Sequence, residues 1–255
     1  MIKTIVITGA GSGMGRATAE VMSQDPQCRL ILVGRQAHAL EETKSNLQNK
    51  EQHILLPLDI RIGSDWKKAL KLIDAQSLNI SAVFANAGVG GENHYGDHDR
   101  WSEIISTNLD GTYVTIMELL PYLQSSKQEF RHILITSSCL GRFGVPNYTA
   151  YCTAKTGLLG LTKSLAVQYA KDHILVNAIC PGWVETEMAK AGIQKLADRS
   201  EITYAESFKE QMSYVPLNKI TKPIEIAKFV RFMFSDEQVS MTGQGIDINN
   251  GSFMI

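Results

Sequence analysis

An apolar run, Ile5-Val6-Ile7, leads into the turn Thr8-Gly9-Ala10-Gly11-Ser12-Gly13-Met14-Gly15 and then into Ala17 to Met22. The first piece reads as a buried strand and the last as a helix. Between them lie four glycines in seven residues. Strand, glycine turn and helix form one unit that lets backbone approach a pyrophosphate. The helix N-terminus adds unpaired N–H groups and the positive end of its dipole. The pattern predicts the entry unit of a dinucleotide site and further alternation of strand and helix.

That alternation runs throughout. Strands are predicted at 3–7, 29–33, 53–58, 80–85, 132–137, 174–179 and 245–249. Within 64–76, Trp66, Ala69, Leu70 and Ile73 repeat at helical spacing, with Ser64 as N-cap. Pro223 suits the first turn of a helix over 223–234. The expected fold is α/β, a Rossmann-like doubly wound parallel sheet of about seven strands joined by right-handed crossovers, with ligands at the strand C-termini. With no repeat or linker, residues 1–255 are expected to form a single domain. The strandless segment 184–218 is expected to be functional, as a substrate lid.

Composition narrows the function. A net charge of −1 offers no basic surface for nucleic acid or an anionic membrane. No apolar run has membrane-spanning length. The segment MIKTIVITGAG enters a strand at once and leaves no room for a signal peptide, so a cytoplasmic protein is expected. Cys28, Cys139, Cys152 and Cys180 show no metal spacing and are expected to be reduced thiols. No metal site is expected.

The chemistry centres on YCTAK at 151–155. A helix places Tyr151 and Lys155 on one face. An ammonium beside a phenol stabilises the phenolate, so the tyrosine pKa is expected to fall and make Tyr151 a general acid or base. Ser138 stands thirteen residues earlier, and NAG occupies 86–88.

Together, TGAGSGMG at 8–15, Asp59, NAG at 86–88, Asn108 in STNLDG, Ser138, YCTAK and PGWVET at 181–186 resemble the short-chain dehydrogenase/reductase family over essentially the whole chain. Met14 stands where relatives usually have Ile, and Asn250-Gly251 where many have Gly-Gly. The resemblance implies an NAD(P)-dependent oxidoreductase acting on a carbonyl or secondary alcohol. Tyr151 would move the proton, Ser138 orient the substrate oxygen, Lys155 tune Tyr151 and bind the nicotinamide ribose, and Asn108 hold a relay water. Cofactor contacts would come from Thr8, Gly9, Gly11, Ser12, Gly13, Met14 and Gly15 in the turn. Asp59, with Ile60, would hold the adenine amino group. Asn86, Ala87 and Gly88 would pack along the adenosine ribose. Pro181, Gly182, Val184 and Thr186 would meet the nicotinamide end, with Thr186 on the carboxamide. Relatives commonly form tetramers through helices at about 109–124 and 152–170, so a homo-oligomer is expected.

Cofactor choice turns on Leu32-Val33-Gly34-Arg35. Gly34 stands where NAD-preferring relatives carry an acid, and the Arg35 guanidinium suits a 2′-phosphate. The family's other NADP marker is absent, because that position is Ser12. NADP(H) is favoured over NAD(H).

Substrate is expected between the loops 89–96 and 139–148 and the segment 187–215. There Tyr204, Phe208, Met212 and Val215 share a helix face, either packing on the body or covering substrate. Glu92, His94, Tyr95 and His98 read as a solvated loop, and Arg142 as the one cation near the site for a carboxylate. A small or free carbonyl substrate is the first reading. A 3-oxoacyl-carrier-protein reductase or polyketide-type ketoreductase is the alternative. Its docking arginines would be replaced here by Glu129 and Asp172, with Lys127, Arg131 and Lys171 nearby. A non-catalytic dinucleotide-sensing regulator is the remote alternative, since such proteins tend to lose the tyrosine or lysine.

Overall fold

All seven expected strands form, and they lie side by side in one parallel sheet of order β3-β2-β1-β4-β5-β6-β7. The computed structural model describes residues 2–254. The strands are β1 Lys3–Thr8, β2 Cys28–Gly34, β3 Ile54–Pro57, β4 Ile80–Ala85, β5 Arg131–Thr136, β6 Ile174–Pro181 and β7 Gly245–Ile248. The order reverses between β1 and β4, so their C-terminal ends open a crevice between crossovers that leave in opposite directions.

Side-chain alternation along each strand sends one set of residues to each face. Val6, Ile31, Val33, Val83 and Ile133 meet α3 (Gly63–Ala75), α5 (Gly111–Gln124) and α6 (Thr149–Tyr169) through Trp66, Ile73, Ile116, Leu119 and Leu158. Ile5, Ile7, Leu30, Leu32 and Phe84 pack on the other face with α1 (Gly13–Met22), α2 (Ala37–Ser45) and α9 (Pro223–Met233), through Ala19, Leu40, Ile226 and Val230. Each such side chain stabilises the fold by about 1.5–3 kcal/mol, which holds the strand ends in fixed register beneath the crevice.

Two local expectations change. Ser64 lies inside α3, whose N-cap is Ile62 with no side-chain cap; Asp65 in the first turn complements the dipole instead. The segment 184–218 contains two helices, α7 (Glu187–Ser200) and α8 (Tyr204–Ser213), with a bridge from Val184 to Thr221 at its base. On α8 the apolar face divides. Met212 is buried, as is Val215 just beyond the helix, whereas Tyr204 is exposed and stacks on Phe208 at 6.3 Å. Pro223 takes the first-turn place of α9. Asn250 adopts φ +55° and Gly251 φ +87°, so a residue tolerant of the left-handed region replaces the usual glycine. No helix among the described residues is long and apolar enough to cross a membrane.

Candidate active site

The crevice is built from the ends of β1, β4 and β5. Thr8 Oγ1 accepts from the N–H groups of Asn86 at 2.9 Å and Ala87 at 3.0 Å, and Asn86 Nδ2 returns a bond to the Thr8 carbonyl at 3.1 Å. Thr136 Oγ1 donates to Asn86 Oδ1 at 3.2 Å. These bonds fix the floor on which the glycine turn and NAG rest.

The turn has the shape of a cradle. Gly9 has φ +68° and Gly13 φ +50°, conformations L side chains rarely adopt. A Cβ on Gly15 would sit 2.2 Å from the Gly9 carbonyl oxygen. Ser12, the N-cap of α1, makes no side-chain cap, so the first turn keeps N–H groups for an anion. Met14 packs against the apolar core. Gly13 faces Thr186, whose hydroxyl caps α7 by accepting from Ala189 N–H at 3.3 Å. Val184 is buried beside Pro181 and Gly182 at the end of β6. These residues fit a dinucleotide along α1, with its pyrophosphate at the turn.

Beyond the turn, α6 brings Tyr151 and Lys155 together. Lys155 is the only buried lysine among the described residues. Its Nζ donates to the Thr136 carbonyl at 2.8 Å and lies 5.5 Å from the centroid of the Tyr151 ring. Burial pulls the Lys155 pKa down from 10.5 to about 8. The expected fall in the Tyr151 pKa does not occur: burial pushes it up to about 12, against the lowering effect of its hydrogen bond with Ser138. Desolvation of the phenolate outweighs the other influences, and the phenol is protonated at neutral pH.

The two serines after β5 have separate duties. Ser137 is buried and donates to the Lys155 carbonyl at 2.8 Å, so it packs α6 onto the sheet. Ser138 accepts from Leu140 N–H at 3.1 Å and reaches Tyr151. Asn108 lies in a wide helical turn, Ser106–Asp110, between α4 (Trp101–Ile105) and α5. Such turns free backbone groups from the regular ladder. Its side chain donates to Val89 O and accepts from Val89 N–H, both at 2.8 Å. A Cβ on Gly88 would lie 2.7 Å from Asn108 Oδ1 and 3.7 Å from Lys155 Nζ. The structure thus brings Asn108, Ser138, Tyr151 and Lys155 to one place beside the cradle.

A family model described as short chain dehydrogenase matches residues 3–197. The chain belongs to that family. It is 34% identical over 254 residues to the uncharacterized oxidoreductase YxbG of Bacillus subtilis (strain 168), covering 98% of this chain and 90% of that one. It is 30% identical over 259 residues to the 3-oxoacyl-[acyl-carrier-protein] reductase FabG of Thermotoga maritima, covering 98% and 97%. The solved actinorhodin polyketide ketoreductase with NADPH superposes with TM-score 0.90 at 25% identity, covering 98% and 97%. This short chain dehydrogenase is therefore a nicotinamide-dependent oxidoreductase of carbonyls or secondary alcohols.

Just beyond β3, Arg61 Nη2 meets Asp59 Oδ2 at 2.5 Å and its Nε lies 3.0 Å from Oδ1. That contact holds the Asp59 carboxyl below the usual carboxylate range, with Arg35 adding a smaller pull. Ile60 is buried, and a Cβ on Gly111 would crowd it, so its side chain belongs to the core. Arg35 is exposed. Gly34 packs on Leu40, where a Cβ would meet Cδ2 at 3.2 Å. A side chain at that position would ask the Leu40 tip to give by a few tenths of an ångström.

At the substrate side, the sequence reading needs two corrections. Glu92 is not a solvated loop residue: its side chain is 14% exposed and binds Arg199 of α7 at 2.5 Å. Arg142 is not free for a carboxylate, because its Nη2 donates to the Gly245 carbonyl at 2.7 Å and pairs with Asp247 at 3.2 Å. His94, Tyr95 and His98 are exposed as expected. Sequence reading missed Tyr148, whose ring meets Tyr151 edge-on at 6.4 Å, and Met188, whose Sδ would lie 2.7 Å from a Cβ on Gly90. Tyr148 stands three residues before Tyr151, a spacing that signals a shared helix face. Met188 and Arg199 carried no local signal. An open cavity of about 820 Å³ lies to one side, walled by Asn93, His94, Tyr95 and Trp101 and without Ser138 or Tyr151 in its lining.

Proposed function

We propose that this dehydrogenase reduces a ketone on a small, free substrate, with NADP(H) favoured over NAD(H). The observation that carries the reading is the protonated Tyr151 phenol, bonded to Ser138 and overlain by the Lys155 ammonium, at the strand ends next to the glycine cradle. The bound nicotinamide supplies the hydride. Tyr151 donates a proton to the substrate oxygen, and Ser138 orients that oxygen by a hydrogen bond. Lys155 stabilises the phenolate left on Tyr151 and would hold the nicotinamide ribose. Asn108, held by Val89, offers its wide turn to a relay water. Thr186 would hold the carboxamide, and Asp59 the adenine amino group.

The cofactor preference rests on Arg35, which is exposed and has no hydrogen bond or ion pair among the described residues, and on Gly34, which brings no acid to repel a 2′-phosphate. The small-substrate reading rests on the surface where a carrier protein would dock. Glu129 is exposed there, and Asp172 binds Gln124 at 2.8 Å. Arg131, the nearby cation, donates to the backbone carbonyls of Gln128, Glu129 and Asp172. The relatedness to FabG of Thermotoga maritima supports the second reading, reduction of carrier-bound acyl groups, with Lys127 and Lys171 as docking cations. A cytoplasmic homo-oligomer, dimer or tetramer, completes the proposal. Tyr113 on α5 and Val167 on α6, 50% and 82% exposed, mark its contact faces.

The test is NADPH and NADH oxidation over free ketones, sugars and acyl thioesters, with and without Arg35→Ala. The variant is expected to weaken NADPH about ten- to a hundredfold, the worth of a hydrogen bond to a charged group, and NADH by no more than a few-fold. Equal weakening would end the NADP reading. A kcat/KM for carrier-bound acetoacetyl at least tenfold above the best free ketone would end the small-substrate reading.

A further inference from the structure

Asn93 lies in the loop after β4, buried to 7% exposure, with both ends of its side chain engaged. Oδ1 accepts from Ala150 N–H at 2.8 Å and from the Thr149 hydroxyl at 3.0 Å. Nδ2 donates to Asp99 Oδ1 at 3.2 Å, and the backbone N–H donates to the Asn147 carbonyl at 2.8 Å. Thr149 and Ala150 are the first two residues of α6, and Tyr151 is the third. The local N-cap, Tyr148, makes no side-chain cap. Asn93 therefore supplies, from a loop more than fifty residues away in sequence, the acceptor that a Ser, Thr, Asp or Asn ordinarily supplies next to its helix. Asp99 also accepts from Trp101 N–H at 3.0 Å, in the first turn of α4. One Asn–Asp pair thus ties the starts of α4 and α6 together.

The geometry points to Asn93 as a positioning residue that holds the first turn of α6, and with it the Tyr151 phenol, in register with Ser138 and Lys155. The inference rests on the reading of Tyr151 as the proton donor. Three facts give it force. Tyr151 sits in the turn that Asn93 caps, with no intervening regular turn to absorb fraying. The two helices joined by the pair carry the proposed proton machinery, α6 with Tyr151 and Lys155, and α4 leading directly into the turn that holds Asn108. The loop that bears Asn93 is also the loop whose Val89 clasps Asn108. A displacement of about 1 Å at a reacting group costs up to about 10²-fold in rate. A capped first turn also keeps the positive helix end close to Tyr151, the third residue of α6.

The test uses the full chain with NADPH and the best ketone of the panel. Asn93→Ala removes all three side-chain bonds. The exchange Asn93→Asp with Asp99→Asn keeps an acceptor for Ala150 N–H and reverses the polarity of the bond between the pair. Asn93→Ala is expected to lower kcat about ten- to a hundredfold while leaving the NADPH Kd within about threefold. The acidic limb of kcat for alcohol oxidation should move to higher pH. The exchange variant should recover kcat to within about threefold of the parent. Parent-like kcat and pH profile in Asn93→Ala would overturn the inference. So would loss of NADPH affinity in proportion to kcat, which marks a general structural role. If Asn93→Ala fails to fold, the exchange variant decides: folded and active supports the inference, folded and inactive overturns it. Tyr151→Phe is run alongside. An active Tyr151→Phe retires the proton-donor reading and this inference with it. A parent-like Asn93→Ala beside an inactive Tyr151→Phe retires this inference alone.

Discussion

The two ends of β5 each bury a titratable side chain, and their fates differ. At the C-terminal end, Lys155 donates to the Thr136 carbonyl, overlies Tyr151 and faces Gly88 and Asn108. At the N-terminal end, His132 is 5% exposed, its Nδ1 has no partner, and Phe234 packs on its ring at 6.0 Å. Burial pulls both pKa values down, Lys155 to about 8 and His132 to about 4. Burial and a shifted pKa therefore do not mark a site by themselves. The strand end makes the difference. C-terminal ends turn their last carbonyls and following loops toward the crevice where α1 and α6 converge. At the N-terminal ends, β1, β4 and β5 close on a cavity of about 10 Å³, beside the exposed-edge pair Lys3–Asp236 at 2.7 Å.

The largest expected effect lies at the C-terminal end. Tyr151→Phe should lower kcat by about 10²–10⁴, the usual worth of a positioned general acid, with cofactor Kd within a few-fold. A variant keeping more than about a tenth of parental kcat would break the comparison, because that end would then hold no proton donor.

Ser138→Ala should follow, at about 10²–10³ in kcat if its hydroxyl serves the substrate oxygen. Ser137→Ala should leave kcat within a few-fold and cost about 1 kcal/mol of stability, the worth of its bond to the Lys155 carbonyl. Steady-state kinetics with urea unfolding separates the two. A reversed pattern would move the oxygen-orienting role to Ser137.

Stability against pH compares the two buried groups directly. The folded chain holds Lys155 near 8, below its ordinary 10.5. Between those values the unfolded chain binds more protons, so cofactor-free stability should rise with pH across that window. The rise is at most about 3 kcal/mol, and Lys155→Met should abolish it. Tyr151, raised to about 12, acts oppositely above pH 10, where the unfolded phenol ionises first. Urea midpoints from pH 7.5 to 10 read the rise, and a flat parental profile would sink the assignment of a buried ammonium.

His132 gives the smallest effect. Its neutral form is favoured in the fold, so stability should fall as pH drops from 6.5 toward 4, where the unfolded chain protonates first. The neighbouring cavity is just large enough for one water, which softens the penalty. His132→Phe should flatten the acid limb and leave kcat unchanged. A fall in kcat would mean that the two ends of β5 are coupled.

Local pattern carried much of this molecule. Strict apolar runs bounded by turn residues located every strand to within two residues at either end, because strands buried on both faces need such runs. The glycine turn was legible because positive φ at Gly9 and Gly13 and the contact of Gly15 with the Gly9 carbonyl admit little else. Tyr151 and Lys155 were legible because helical spacing is a local property. Cap choice was less so. Ser64 had the right chemistry, but α3 starts earlier, with Ile62 as its N-cap.

The sequence by itself determined the individual strands, the glycine turn and the pairing of Tyr151 with Lys155, since each depends on residues within about ten positions of one another. Tertiary structure alone decided what those groups experience. Desolvation, the sum over every neighbour, set the Tyr151 pKa above its ordinary value, where an isolated Tyr–Lys pair predicts a fall. Partner choice was likewise non-local. Arg142 is spent on β7, Arg131 on backbone carbonyls and Glu92 on α7, contacts separated by 105, 41 and 107 residues. The cap of α6 comes from Asn93 for the same reason: a buried N–H takes whichever acceptor the fold delivers, and chain distance has no part in that choice.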